Sequence, residues 1–252
     1  APEVLQLHTL DTPLATAPNA LLVRLKAAGL NPIDTKLRSN GTYYPDRMPA
    51  ILGCDGAGIV EAVGSAVTRF HPGDAVYFCH GGIGGTPGTY AEYAVVDEHR
   101  IAAKPQRLSF AEAAAELHVV VDAHLADVVA EDLLAGTRVL IHAGAGGVGH
   151  LAIQLARLAG CEVATTVSSE EKAAFVRQLG ASLAIDYKHT DFVQATRDWS
   201  DDHGVDMVFD TVGGATFAQS FGALGLYGDI VTLIQPDAAI DWKAARLRNL
   251  RI

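Results

Sequence analysis

Residues 138–149 read Arg138-Val139-Leu140-Ile141-His142-Ala143-Gly144-Ala145-Gly146-Gly147-Val148-Gly149. The run Arg138–His142 is short, apolar and bounded by a glycine cluster, which predicts a buried strand. Gly144, Gly146 and Gly149 then fall on the spacing GxGxxG. The stretch Val148–Ala159 places Leu151, Ala152, Leu155 and Leu158 on one face, with Gly160 at its C-terminal cap, and predicts an amphipathic helix. Strand, glycine turn and helix in that order form a grip for a diphosphate. The glycines permit a tight turn and close backbone approach, and the helix start offers free N–H donors with a partial positive charge. A glycine-rich turn used only for packing is the alternative. The strand before it and the helix after it favour the phosphate-binding reading.

The pattern continues downstream. Glu162–Val167 predicts a strand, and Glu170–Leu179 a helix closed by Gly180, with Ser168 and Glu171 at capping-box spacing. Further strands are expected at Leu183–Asp186, Val205–Asp210 and Asp229–Ile234. Five short apolar strands alternating with helices predict a parallel, doubly wound sheet of Rossmann type. Upstream the texture differs. Turn pairs such as Asn31-Pro32, Asn40-Gly41, Gly81-Gly82 and Pro87-Gly88 separate the apolar runs Leu21–Leu25, Gly58–Val63, Ala75–Phe78 and Tyr90–Val96. Short strands broken by turns predict a β-rich domain. The expected division is therefore 1–110 and 111–252, within an α/β chain, with a helix starting at Phe110.

The tip of the second parallel strand tests which dinucleotide fits. Sites for NAD place Asp or Glu there, about 20 residues after the glycine turn, to bind the ribose 2′-hydroxyl. Here the tip reads Thr166-Val167-Ser168-Ser169, without a carboxylate to repel a 2′-phosphate. Two hydroxyls and Lys172, one helical turn on, suit such a phosphate. Glu170 and Glu171 weigh the other way, unless they serve the helix N-terminus. A lysine at this place is also commonly just a solvated surface residue. The balance favours NADPH.

Composition narrows the partners. The net charge is −10 over 252 residues, which opposes binding to phosphate backbones and anionic lipid surfaces. No apolar run is long enough to span a bilayer. The three cysteines, Cys54, Cys79 and Cys161, form no CxxC pair, so neither a disulfide framework nor a cysteine-rich zinc lobe is indicated. No signal-peptide pattern opens the chain. A cytoplasmic protein acting on small molecules, with no nucleic-acid or membrane partner, is the expectation.

Several stretches together resemble the medium-chain dehydrogenase/reductase superfamily, in its zinc-independent, quinone oxidoreductase-like branch. They are Ala27-Ala28-Gly29-Leu30-Asn31-Pro32-Ile33-Asp34, Gly53-Cys54-Asp55-Gly56-Ala57-Gly58, His142–Gly149, Ile185-Asp186-Tyr187 and Phe209-Asp210-Thr211-Val212-Gly213-Gly214. The resemblance implies a GroES-like N-terminal domain and a Rossmann domain with the active site between them. By position, it implies that Gly146, Gly147 and Val148 contact the diphosphate. Ser168, Lys172 and Tyr187 would surround the 2′-phosphate, and Val212, Leu233 and Ile234 would line the nicotinamide side. Asn31 would reach the reacting groups from the N-terminal domain, and Tyr43 or Tyr44 would line the substrate pocket.

Zinc-dependent relatives carry Cys near position 31 and His at position 54, where this chain has Asn31 and Cys54. A catalytic zinc needs three protein ligands, and no convincing third is evident, so no metal is expected. Relative to the family pattern, the chain starts at the second strand and stops where members continue into the first domain. The expectation is therefore a piece of a longer protein. Asp122-Ala123-His124 stands where relatives carry a Thr-Ala-Trp-like segment, and is either an acid near the nicotinamide or an outward-facing helix residue.

The expected activity is hydride transfer from NADPH to a quinone or an α,β-unsaturated carbonyl, with Asn31 and Tyr44 as hydrogen-bond donors to the acceptor oxygen. Two other readings stay open. One is a non-catalytic NADP(H)-binding, redox-responsive protein. The other is a zinc alcohol dehydrogenase with atypical ligands. An exposed edge strand at Asp229–Ile234 leaves a homodimer open.

Overall fold

The computed structural model describes residues 2–121, 134–234 and 239–252. The change of texture seen in the sequence separates two units, Ala1–Val121 and Asp122–Ile252. The first is built on a five-stranded antiparallel sheet of β1 (Ala20–Ala28), β2 (Asp55–Val63), β3 (Ala75–Cys79), β4 (Tyr93–Asp97) and β5 (Ile101–Ala103), in the order β4-β1-β2-β3-β5. Alternation decides which side is core. Val76 and Phe78 of β3, with Ala94 and Val96 of β4, turn inward onto Leu21, Val23, Val60 and Phe70. Tyr90, expected inside the fourth strand, lies before it.

Helix α1 (Pro32–Asn40) starts where its sequence says it should. Pro32 fills the first position, and the Asn31 amide N–H is held by the Asp34 carboxylate at 2.8 Å. Helix α2 (Phe110–Val121) begins at Ser109, whose hydroxyl and amide both bond Glu112. The expected division at 110/111 assigns this helix to the second domain. Its Ala113 and Ala114 pack on Ala57 of β2 in the first unit.

The second unit is the parallel sheet. Its strands are β6 (Arg138–Ile141), β7 (Glu162–Val167), β8 (Leu183–Asp186), β9 (Val205–Asp210) and β10 (Leu224–Thr232), in the order β10-β9-β6-β7-β8. The order runs outward from β6 in both directions, which is double winding. Helices cover both faces. On one, Val139, Ile141, Val163 and Phe209 meet Ala152, Ile153 and Ala156 of α3 (Gly147–Leu158) and Ala173 and Val176 of α4 (Glu170–Gln178). On the other, Leu140, Ala164, Ile185 and Val208 meet Phe192 of α5 (Phe192–Trp199) and Phe217 and Phe221 of α6 (Gly214–Ala223). Because consecutive residues of β6 are buried on opposite faces, the strand reads as an unbroken apolar run. A short helix, α7 (Lys243–Arg248), adds Ala245 to the second face.

Two local expectations change. The strand expected at Asp229–Ile234 begins earlier, at Leu224, and ends at Thr232, so Leu233 and Ile234 lie just past its tip. It is the sheet's edge strand, and Arg251 pairs with its Asp229. The cap of α4 is Ser169, one residue after the expected Ser168. The Ser169 hydroxyl accepts the Lys172 amide N–H, which leaves the Ser168 hydroxyl for another partner. Gly160 and Gly180 end their helices at φ of +86° and +106°, a conformation that favours glycine.

Removing a capping hydroxyl typically costs about 1 kcal/mol. Ser169→Ala should therefore lower the urea midpoint by an amount equivalent to about 1 kcal/mol, and Ser168→Ala should leave it unchanged. Equal effects would move the cap back to Ser168.

Candidate functional site

In a parallel sheet all strands point the same way, so the residues following them collect along one edge. The glycine turn follows β6, Ser168 follows β7, Tyr187 follows β8, Val212 follows β9, and Leu233 with Ile234 follows β10. Every cofactor residue expected from the sequence thus sits at one edge of the second unit.

The turn itself is built by close approach. A side chain at Gly144 would run into Thr165 Oγ1, and one at Gly149 would run into the Ala143 carbonyl. Gly146 and Gly147 are exposed. Helix α3 makes its first backbone bond from the His150 amide to the Gly146 carbonyl, 3.1 Å away. The amides of Gly147, Val148 and Gly149 precede that bond, so they have no acceptor within the helix. They lie beside exposed glycine backbone. This stereochemistry fits a dinucleotide.

The second-strand tip carries the charge pattern. Lys172 Nζ donates to Ser168 Oγ at 3.1 Å, and the Tyr187 amide donates to the Val167 carbonyl at 3.2 Å. Tyr187 is exposed. Lys172, Ser168 and Tyr187 are therefore neighbours with polar atoms open to solvent. Of the acids near this tip, Glu170 is paired with Arg177 at 2.7 Å, and Asp186 is taken up by His189 at 2.8 Å, a bond that holds its carboxyl below the usual carboxylate range.

The far end of the edge is held by a buried acid the sequence reading did not single out. Asp210, fully buried, accepts the amides of Val212 at 2.9 Å and Gly213 at 3.1 Å. The Leu233 amide donates to the Asp210 carbonyl, and Ile234 packs against Gly213. Val212, Leu233 and Ile234 leave a third to a half of their surface open, as an apolar wall.

The first unit holds the other expected residues. Asn31 is buried, and its Nδ2 donates to Asp55 Oδ2 at 2.6 Å. That bond fixes which end of the Asn31 amide carries the donors, since a carboxylate accepts only. Tyr90, whose hydroxyl bonds Asp34, is raised in pKa by burial and then by the Asp34 charge. Burial, then Asp34 and Asp55, push the Cys54 thiol up to about 11. Tyr43 and Tyr44 are exposed, with the Arg47 guanidinium 5.4 Å from the Tyr44 ring centre. Asp55 and Asp34 were visible in the sequence only as motif neighbours, because no spacing rule announces which acid will meet an asparagine across the fold. Among the described residues no group of three or more His, Cys, Asp or Glu is placed to hold a metal ion. Nor is any helix among them long and apolar enough to cross a membrane. Asp122 and His124 lie outside the described residues.

Two family models match the chain. The family described as alcohol dehydrogenase GroES-like domain matches residues 17–106, and the one described as zinc-binding dehydrogenase matches residues 147–249. A quinone oxidoreductase of Pseudomonas aeruginosa is 38% identical over 231 residues, covering 92% of this chain and 69% of the relative. The chain belongs to the medium-chain dehydrogenase/reductase superfamily, in its quinone oxidoreductase-like branch. Members of that branch are oxidoreductases, and so is this chain. The structure of Escherichia coli quinone oxidoreductase complexed with NADPH superposes with a TM-score of 0.84 at 31% identity, over 99% of this chain and 76% of that one. An NAD-dependent alcohol dehydrogenase structure superposes with a TM-score of 0.91 at 33% identity, over all of this chain and 80% of that one. Both are what the fold is similar to. The choice of dinucleotide is left to the residues of this chain.

A thiol raised to about 11 keeps its proton well above the usual thiol range. The protonated form is favoured by folding, so its contribution to stability is present below the unfolded thiol's pKa and is lost as pH rises through about 11. At pH 9, iodoacetamide should leave Cys54 unmodified in the folded protein and label it after unfolding, as read by peptide mass spectrometry. Equal labelling rates in the two states would contradict the burial argument.

Proposed function

We propose that the chain reduces a quinone or an α,β-unsaturated carbonyl with NADPH, without catalytic zinc. The observation that carries the cofactor choice is the acid-free tip of β7, where Lys172 and Ser168 pair beside the glycine turn. A carboxylate there would bind a ribose 2′-hydroxyl and repel a phosphate. A lysine with two nearby hydroxyls does the reverse.

The residues would then divide the work. Gly146, Gly147 and Val148 hold the diphosphate through backbone amides, aided by the start of α3. Ser168, Lys172 and Tyr187 hold the 2′-phosphate. Val212, Leu233 and Ile234 present an apolar face to the nicotinamide and exclude water from it. Bound NADPH supplies a hydride. Charge that develops on the acceptor oxygen needs donors, and Asn31, with its amide end set by Asp55, and Tyr44 fill that role. A quinone needs less help from a general acid than an isolated ketone does, because its reduced oxyanion is delocalised. The zinc-free reading is supported by the donor at one of the two positions where zinc relatives carry ligands. At position 31 that donor is an amide bound to a carboxylate rather than a thiolate.

Lys172→Ala should weaken NADPH binding about tenfold, the scale of one charge-assisted contact, and weaken NADH binding far less. Fluorescence titration with both dinucleotides measures this, and equal losses would remove Lys172 from the 2′-phosphate site. Purified protein mixed with NADPH and a panel of quinones and enones should oxidise the dinucleotide, read as loss of its near-ultraviolet absorbance. Tight binding with no oxidation across the panel would favour the non-catalytic reading instead.

A further inference from the structure

One buried titratable group has no place in the function above. His142 directly follows β6 and is 1% exposed, in the interior of the second unit. Its Nε2 lies 2.8 Å from Ser220 Oγ on α6, and its Nδ1 lies 3.2 Å from Thr166 Oγ1 on β7. Phe192 meets the ring edge-on at 4.8 Å.

The bonds at the two ends of this set fix every proton between them. Ser220 Oγ is 2.7 Å from the Thr216 carbonyl, which only accepts, so the Ser220 hydroxyl proton is spent there. Ser220 Oγ must then accept from His142, which puts the ring proton on Nε2. At the other end the Ala143 amide, which only donates, gives its N–H to Thr166 Oγ1 at 3.0 Å. The Thr166 hydroxyl proton is thereby free for the bare Nδ1. The chain runs one way throughout: Ala143 N–H to Thr166, Thr166 O–H to His142 Nδ1, His142 Nε2–H to Ser220, Ser220 O–H to Thr216. Bonds aligned in this manner polarise one another.

What the chain holds is the first residue of the glycine turn. Ala143 sits at φ +52°, a conformation disfavoured for an L side chain. Its neighbours depend on that bend. The Gly144 amide reaches the Thr166 carbonyl at 3.0 Å, and the Gly146 amide reaches the Ala143 carbonyl at 2.8 Å.

We propose that His142 is a positioning residue for the dinucleotide: as a neutral, Nε2-protonated ring, it completes a buried chain that keeps Ala143 left-handed and so aims the diphosphate amides. This rests on the dinucleotide reading of the preceding section. Burial disfavours the charged ring and brings its pKa down to about 4, against an opposing pull from the Asp210 carboxylate, so the neutral form prevails at ordinary pH.

The tautomer is tested without any ligand. Imidazole 15N NMR of the full chain, with His142 assigned through His142→Gln, should show a protonated Nε2 and a bare Nδ1 from pH 6 to 8. A protonated Nδ1, or a ring that titrates in the usual histidine range, would overturn the proposal. The positioning role is tested by NADPH titration of folded variants checked by circular dichroism. Thr166→Val removes the hydroxyl that links Ala143 to the ring and should weaken NADPH binding about tenfold, on the scale of a lost buried hydrogen bond. Thr166→Ser should restore most of it. Ala143→Gly in the Thr166→Val background should recover part, because glycine takes positive φ unaided. Should Thr166→Val fail to fold, Ser220→Ala breaks the far end and should still cost a few-fold in affinity. Wild-type affinity in Thr166→Val, or in Ser220→Ala, would overturn the positioning role. A wild-type chain that does not bind NADPH would instead sink the cofactor reading, with the tautomer result unaffected.

Discussion

A parallel sheet covered by helices on both faces offers its interior no water. Each polar group caught inside must find its partner there or cost the fold several kcal/mol. That constraint shapes the second unit of this chain. Backbone groups within the strands are matched by the ladders, so the unmatched ones gather along the edge where strands end. The glycine turn after β6 leaves the first amides of α3 without intrahelical acceptors, next to exposed Gly146 and Gly147. Several polar side chains that enter the core are tied down there. Asp210 takes two amides, Thr165 donates to the Ile141 carbonyl at 2.6 Å, and His142 is bonded on both nitrogens.

The same edge explains why residues far apart in sequence form one site. Ser168, Tyr187, Val212 and Leu233 share nothing in sequence except that each follows a strand of the same sheet. Double winding from β6 places the glycine turn between the ends of β7 and β9, so the turn is flanked by the two halves of the edge. On one flank are hydroxyls and a lysine; on the other, apolar side chains. That polarity matches a dinucleotide with a phosphorylated ribose at one end and a nicotinamide at the other.

The first unit meets the burial constraint differently. Its antiparallel strands alternate, and its polar cluster forms where α1 starts near β2. Asn31, Asp34, Asp55 and Tyr90 join there through side-chain bonds. Two carboxylates in such surroundings are costly unless hydrogen-bonded. The cluster therefore limits what each member is free to do, and gives the Asn31 amide a defined donor end.

Much of this was legible in the chain of residues because it depends on neighbours in sequence. Strand, glycine turn and helix at 138–159 follow from local periodicity, as do the two glycine helix ends and the alternation of the parallel strands. The pair of serines, Ser168-Ser169, that stands at the tip of β7 is equally local. What the sequence could not reveal depends on partners brought together only by folding. Ser168 and Ser169 both offer hydroxyls at a suitable spacing, and backbone angles choose Ser169 as the cap. His142 reads as the last residue of an apolar strand. Only the crossing of β6, β7 and α6 gives it Thr166 and Ser220, 24 and 78 residues away. Short-range pattern is written in steric and hydrophobic preferences of each segment, whereas a buried hydrogen bond across the sheet exists only once desolvation leaves its donor no other acceptor.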